Sequence, residues 1–599
     1  MKSRLTGIAV FLIPALVLSA EAEGYLSPSE VVAAPNGKTL YISGQTAARI
    51  AVFDIASAQV VRRIELGAAP GGIAGSADGA TLYAAAGSLA GEVLVIDVAS
   101  GRITARIAVG HTPMAPVLGR DGKTLYVCNR FNNDISVIDL AARKETGRIP
   151  AVREPVAAAL TPDESTLVVA NLLPVGPANV EMVAAAVSLI NLKTRRVRNI
   201  PLANGSTGLR GICVSPDGRF AYVTHTLGRY QLPTTQLERG WMNTNALSII
   251  DVGAGRAVNT VLLDDVHLGA ANPWGVACTA DGKLIAVAHA GTHELSVIDR
   301  IGLHAKLARE AAAAGASSDL SFLTGLRRRI KLAGQGPRGL AVIGSKAYAA
   351  EYYSDSLAVV GLSASPGNGA RSVTLGPKTP MTAKRKGELF FNDGTLCFQQ
   401  WQSCASCHPD ARADALNWDL LNDGIGNPKN SRSMLLAHKT PPAMSLAVRD
   451  NAEYAVRSGI KFIQFAVRPE EDAAAIDEYL KSLKPVPSPR LTREGRLSPA
   501  AVRGKSVFMD AGCAKCHYGP ELTSKKAYDV GTSAGIDSGK QLDTPTLVEV
   551  WRTAPYLHDG RSRAMMDVLT RDNQEDNHGS TRRLSEQILR DLAEYVLSQ

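Results

Sequence analysis

The sequence predicts a multidomain chain in which an all-β, seven-bladed propeller is followed by an all-α region built from two related halves. Three observations predict it: a turn-and-strand unit that recurs seven times, a change to helical patterning after Lys378, and a cysteine motif present twice in the last third. At 599 residues the chain exceeds one ordinary core. With 45% hydrophobic and 20% charged residues it has the composition of a folded protein rather than a disordered one.

The N-terminus comes first. Lys2 and Arg4 precede an apolar stretch from Leu5 to Leu18, and small residues follow at Ser19, Ala20 and Ala22. This pattern predicts a cleavable signal peptide over residues 1–22, because the stretch falls short of the roughly 20 apolar residues that span a bilayer. The mature chain is expected in the periplasm, free or associated with a surface, without a transmembrane segment. The net charge of +9 is dispersed, with local clusters such as Arg327-Arg328-Arg329, and export argues against a nucleic acid partner.

The repeat fills residues 23–370. Asn36-Gly37-Lys38 leads into Thr39-Leu40-Tyr41, Asp78-Gly79 into Thr81-Leu82-Tyr83, and Asp121-Gly122-Lys123 into Leu125-Tyr126-Val127, a spacing of roughly 42 residues. The same turn returns at Asp163, Asp217, Asp281 and Gly344. A second strand then ends in an acid or amide, as at Asp54, Asp97, Asp139, Asn191, Asp251 and Asp299. Apolar strands around a Gly-containing turn, repeated seven times, are propeller blades. The later units are longer, which places insertions after Asn171, after His225, and between Asp299 and Gly339, the last with an Ala-rich helical pattern from Ala305 to Ala314. Tyr126-Val127-Cys128-Asn129, Val168-Val169-Ala170-Asn171 and Tyr222-Val223-Thr224-His225 resemble the signature of YVTN-type β-propellers. That resemblance implies a fold and a docking surface but no chemistry.

Equivalent positions of the last three units hold His225, His289 and Glu351, a set that suits either a metal ion or a hydrogen-bonded structural role. Cys128, Cys213, Cys278 and Cys397 are isolated and read as small buried residues. Cys213 and Cys278 have opposite strand parity and are expected to point to different faces.

The chemistry lies in the two halves, residues 371–490 and 491–599. Cys404-Ala405-Ser406-Cys407-His408 and Cys513-Ala514-Lys515-Cys516-His517 are both Cys-x-x-Cys-His, the attachment motif of c-type haem. Two thiols three residues apart bond the two vinyl groups, and the next imidazole lies under the iron. Two covalent haems are expected, with His408 and His517 as axial ligands. The flanks are related as well: Lys386-Gly387-Glu388-Leu389-Phe390 parallels Arg503-Gly504-Lys505-Ser506-Val507-Phe508, and the segment before Pro441-Pro442 parallels the one before Ala554-Pro555. Each half is therefore expected to be a small cytochrome c-like fold, separable from the propeller.

Thr544-Pro545-Thr546-Leu547, Cys516-His517-Tyr518-Gly519-Pro520 and Thr553-Ala554-Pro555-Tyr556-Leu557-His558-Asp559-Gly560-Arg561 resemble the bacterial dihaem cytochrome c peroxidases and their MauG-like relatives. The resemblance implies one haem that meets hydrogen peroxide, a second that stores or relays an electron, a small redox protein or dehydrogenase as electron partner, and a calcium ion between the halves. Where the peroxidases carry a Met ligand this chain has Leu557, which cannot bind iron; Tyr556 and His558 are its neighbours. In the first half Met444 aligns with Leu557 or with Tyr556, depending on the end counted from. It is the leading sixth-ligand candidate, with His438 as the competitor. On this alignment haem 1 stores the electron and haem 2 is reactive. A non-catalytic electron relay is the alternative function.

Overall fold

The computed structural model describes residues 24–232, 242–309, 313–363 and 369–599; the expected signal peptide lies outside the described residues. Seven four-stranded antiparallel sheets follow one another along the chain, each made of four consecutive strands. Blade 1 runs from Pro28 to Glu65, and blade 7 from Pro337 to Thr374. The repeat therefore reads directly as blades.

The local chemistry explains the recurrence. In the first hairpin the turn carboxylate caps the chain: Asp78 Oδ1 accepts from the Ala80 amide at 2.9 Å and Asp121 Oδ1 from the Lys123 amide at 2.9 Å. The glycines that follow, Gly37, Gly79, Gly122, Gly218 and Gly282, all have φ between 63° and 72°, a left-handed conformation that a side chain would strain. In the second hairpin the acid or amide ending the strand accepts from the amide three residues on, as in Asp54 with Ser57 at 2.7 Å and Asp139 with Ala142 at 2.9 Å. Six of the seven innermost strands begin with proline, a position where no ladder donor is lost.

Because every blade uses consecutive strands, no strand from the far end of the chain closes the ring. The seam between blades 7 and 1 is held by an apolar cluster that includes Leu26, Leu40, Phe53, Tyr348 and Leu357, and by the Ser27 amide donating to Asp355 Oδ1 at 2.8 Å. The region between Asp299 and Gly339 is only partly an insertion. It contains the helix Arg300–Arg309, and also Arg327–Lys331, the fourth strand of blade 6.

The three polar residues of the last units do not converge on an ion. His225 Nε2 lies 2.8 Å from Ser248 Oγ, His289 Nε2 lies 2.8 Å from Ser296 Oγ, and the Glu351 carboxylate accepts from Ser356, Ser372 and the Gly334 amide. Asn129 and Asn171 donate to Ser136 and Ser188 in the same way. Each residue thus ties two strands within its own blade. Burial pushes both histidines down to about 4, which keeps them neutral.

The opposite strand parity of Cys213 and Cys278 places them on different faces of their blades, and because blades 5 and 6 pack side by side these are the two faces that meet, so the sulfurs lie 3.7 Å apart. Of the four isolated cysteines expected to be buried, Cys128 and Cys397 are, whereas Cys213 and Cys278 are half-buried.

After Thr374 a short connection leads to the helical region. Its halves share one plan: the helices Ala383–Asn392 and Glu470–Lys481 cross in the first, and Pro499–Asp510 and Glu586–Leu597 in the second. The crossings are close because Gly387 and Gly504 carry no side chain. A Cβ would stand 1.8 Å from the Ala475 carbonyl oxygen and 1.9 Å from that of Asp591. Each half also holds a two-stranded ladder, Asn417–Trp418 with Lys429–Asn430 and Ala527–Tyr528 with Leu542–Asp543, so the region is helical with a small β element rather than purely α.

Candidate haem sites

The first attachment motif forms one helical turn, Cys404–Cys407, capped by Ser403 and Ser406, which bond each other's backbone or side chain. The propeller supports this turn directly. Asn272 Nδ2 donates to Ser403 Oγ at 2.7 Å, Ser406 Oγ donates to Asn272 Oδ1 at 2.9 Å, and Asn243 Nδ2 lies 3.2 Å from Cys407 Sγ. On the other side Gln464 Nε2 lies 3.5 Å from Cys404 Sγ. The second motif forms a tighter turn, Cys513–Lys515, entered through Gly512 at φ 81°.

The donor set suits a covalent haem. In both halves the motif histidine turns Nδ1 to a backbone carbonyl: His408 to Arg412 O at 3.1 Å and His517 to Leu522 O at 3.2 Å. A carbonyl accepts only from N–H, so the proton sits on Nδ1 and Nε2 keeps the lone pair that a metal requires. Burial pushes the Cys404 thiol up to about 12 and the Cys407 thiol well above its ordinary value, and it pushes His517 down to about 4, with His578 adding to the shift.

The two halves are related by a pseudo-twofold seam, and this settles the register left open by the sequence. Leu436 and Glu549 both have positive φ near 60°, Met444 and Leu557 have φ 75° and 71°, and Ala443 pairs with Arg449 as Tyr556 pairs with Ser562. The Asp543 amide donates to Ser445 O at 2.9 Å, and in the equivalent bond the Asn430 amide donates to His558 O at 2.8 Å. Met444 therefore matches Leu557 and not Tyr556. Both lie in loops that cross from one half to the ladder of the other.

The remaining candidates are placed as follows. His438 is buried and turns Nε2 to Asp477 Oδ1 at 2.9 Å. His558 lies at the seam, with Nε2 4.0 Å from Asp537 Oδ2, and its Nδ1 is buried without a hydrogen-bond partner. Tyr556 packs at the edge of the second apolar cluster beside Leu557. Asp423 and Asp537, facing each other across the seam, share the Lys429 ammonium, 3.1 Å from the first and bonded to the second. Lys429 and Lys540 hold Asp537 down to about 2 against the effect of burial.

Two features escaped the sequence reading. His578, in the loop before the last helix, stands with its ring centroid 6.4 Å from that of His517 at an interplanar angle of 45°. A survey of the five histidines after residue 380 would have flagged it, since it is the sole histidine between the helices Met565–Leu569 and Glu586–Leu597. The second is Asp410, two residues after His408, which inserts among Arg130 and Arg210 of the propeller and Arg552 of the second half. Arg130 and Arg552 also hold Glu154, and Glu549 is bonded by Arg412 at 2.7 Å. Burial alone would raise Glu154, but Arg552 and Arg130 hold it down to about 2.

No protein-family model matches the chain. It is 28% identical over 268 residues to hydrazine synthase subunit gamma of Kuenenia stuttgartiensis, an alignment covering 35% of this chain and 76% of that protein. It is 30% identical over 193 residues to subunit beta of the same synthase, covering 30% of this chain and 48% of that subunit. The methylamine utilization protein MauG of Methylorubrum extorquens is 24% identical over 250 residues, 32% of this chain and 69% of that protein. A solved structure of Kuenenia stuttgartiensis hydrazine synthase superposes with a TM-score of 0.53 at 26% identity, covering 59% of this chain and all of that one. Homologues of this chain, with its seven-bladed propeller and duplicated helical region, thus include hydrazine synthase subunits and MauG.

Proposed function

We propose that the protein is an exported c-type cytochrome oxidoreductase holding two covalent haems, and that it uses peroxide in the manner of the dihaem peroxidases and MauG. One observation carries this reading. Two complete Cys-x-x-Cys-His motifs sit in halves of the same plan, each with its histidine Nδ1 on a backbone carbonyl and no hydrogen bond to Nε2 among the described residues. Cys404 and Cys407 would anchor one haem under His408, and Cys513 and Cys516 the other under His517. Each group supplies one-electron redox chemistry when bound.

The chain's own residues set the environment. Asn243 and Gln464 reach the first pair of sulfurs, and the Asp410 clamp fixes the backbone just after His408, so propeller docking bears on the first site. The propeller offers the surface for a small redox protein or dehydrogenase that exchanges electrons with the haems. A calcium ion between the halves belongs to the same reading, and chelation followed by the optical spectra tests it; at the seam Lys429 bridges Asp423 and Asp537.

The test has two steps. Intact mass should give two haems per chain, and Cys513→Ala/Cys516→Ala should carry one. The fully reduced protein is then mixed with peroxide and followed optically. Rapid oxidation supports the peroxidase reading, while two unreactive six-coordinate haems would leave only electron relay. That second reading is favoured at one site by the imidazole facing His517.

A further inference from the structure

We propose that His578 is the sixth ligand of the haem held by Cys513, Cys516 and His517, which closes that iron between two imidazoles. The inference rests on the reading that this motif binds haem. Its basis is distance. Imidazole–metal bonds of about 2 Å on each side, plus the ring radii, set the centroids of two trans imidazoles about 6 Å apart. The observed 6.4 Å fits one metal ion between the rings. It is also too far for the rings to be held by stacking contact.

The ring nitrogens are free for this role. Neither nitrogen of His578 makes a hydrogen bond among the described residues, and Nδ1 is buried without a partner, an arrangement that is unfavourable unless another group completes the site. His517 presents Nε2, because its Nδ1 is committed to Leu522 O.

The loop is built to hold the ring there. Asn573 Oδ1 accepts from the His578 amide at 2.8 Å, and its Nδ2 donates to Gly579 O at 2.8 Å and to Thr581 Oγ1 at 2.8 Å. The Ser580 amide donates to Ala511 O at 3.0 Å, which ties the loop to the segment that leads into Cys513. A Cβ on Gly579 would stand 3.4 Å from Cys513 Sγ, so the residue after His578 lies against the attachment cysteine itself. In the first half the side chain reaching the corresponding cysteine is Gln464, an amide rather than an imidazole.

The chemical consequence is an asymmetric pair. A second imidazole gives a low-spin iron with a lower potential than thioether ligation, suited to storing or passing an electron. Leu557 is then apolar packing near that haem, and any peroxide reaction belongs to the first site. This reverses the roles that the alignment of Met444 with Leu557 suggested.

The experiment uses the full-length holoprotein. Intact mass first establishes that both haems are attached in wild type, His578→Ala and His578→Met. Wild type should show a bis-imidazole low-spin signal in the ferric electron paramagnetic resonance spectrum. That signal should disappear in His578→Ala, be replaced by a high-spin signal, and return on adding free imidazole. His578→Met should raise one potential and leave the other unmoved. A wild-type spectrum without a bis-imidazole signal overturns the inference without need of any variant, as does a signal that survives in His578→Ala with both haems present. A wild-type chain lacking the second haem by mass overturns the haem reading as well, so the two failures are told apart.

Discussion

Met444 and Leu557 occupy equivalent backbone positions with the same unusual φ, yet only one carries an atom that can bind iron. Replacing Met444 by Ala tests whether that difference matters. If its thioether ligates haem 1, the variant loses the thioether-to-iron absorption of the ferric spectrum and one potential falls, with the signals of haem 2 unchanged. An unaltered spectrum returns Met444 to packing. The facing cysteines make a second test at this scale. The sulfurs of Cys213 and Cys278 share a hydrogen bond that either can donate, and that bond together with Arg300 pushes Cys278 below its ordinary value while Cys213 is pushed well above. A thiol–disulfide exchange oxidant is expected to link them, with loss of two free thiols and a disulfide-bridged peptide pair in the digest. Closing a loop of this length stabilises by about 4 kcal/mol in the chain-entropy account, so the melting temperature should rise. Retention of both thiols after oxidation would refute it, and Cys213→Ser should abolish the effect.

Each half depends on a helix crossing that admits no side chain. At Gly504 an added Cβ meets the Asp591 carbonyl oxygen, a backbone atom that cannot rotate away, and Phe508 packs on Tyr595 with centroids 5.2 Å apart just beyond. Gly504→Ala is therefore expected to destabilise the second half by about 3 kcal/mol, because the helices must separate and this packing loosens. Thermal unfolding followed at the Soret band measures it. A variant as stable as wild type would show that the crossing relaxes freely.

The propeller and the helical region form one charged interface rather than two bodies on a tether. Asp410, Glu154 and Glu549 meet Arg130, Arg210, Arg412 and Arg552, and most of these side chains are buried. Removing one partner leaves buried charge uncompensated, so Arg552→Met is expected to cost about 3 kcal/mol or more, and residues 380–599 expressed alone should be markedly less stable than in the full chain. Buried groups of the blades and of this interface together fix a pH dependence. His225 and His289 fall from 6.5 to about 4 on folding, so their contribution is complete above pH 6.5 and is lost as pH falls towards 4. Glu154, lowered from 4.5 to about 2, contributes above pH 4.5 and is lost as pH falls towards 2. Acid titration of the melting temperature should show a loss beginning near the first window and steepening in the second. Glu154→Gln should flatten only the second.

Local chemistry made much of this protein legible in one dimension. Asp78-Gly79 and Asp121-Gly122 specify their hairpins through bonds reaching two or three residues, so the blades could be counted from the chain itself. Cys404 to His408 and Cys513 to His517 are legible for the same reason, since attachment chemistry is confined to one turn. What spans longer separations was not. Cys213 and Cys278 meet because neighbouring blades pack, Lys429 meets Asp537 because the halves are related by a pseudo-twofold, and Asp410 meets Arg130 because one region caps the other. His578 faces His517 only after Asn573 folds its loop onto the attachment segment. The sequence by itself determined the architecture and the two Cys-x-x-Cys-His motifs, which depend on neighbours along the chain. Which groups face each other across blades, halves and haem sites was decided by tertiary packing alone, because those distances are set by how whole elements dock.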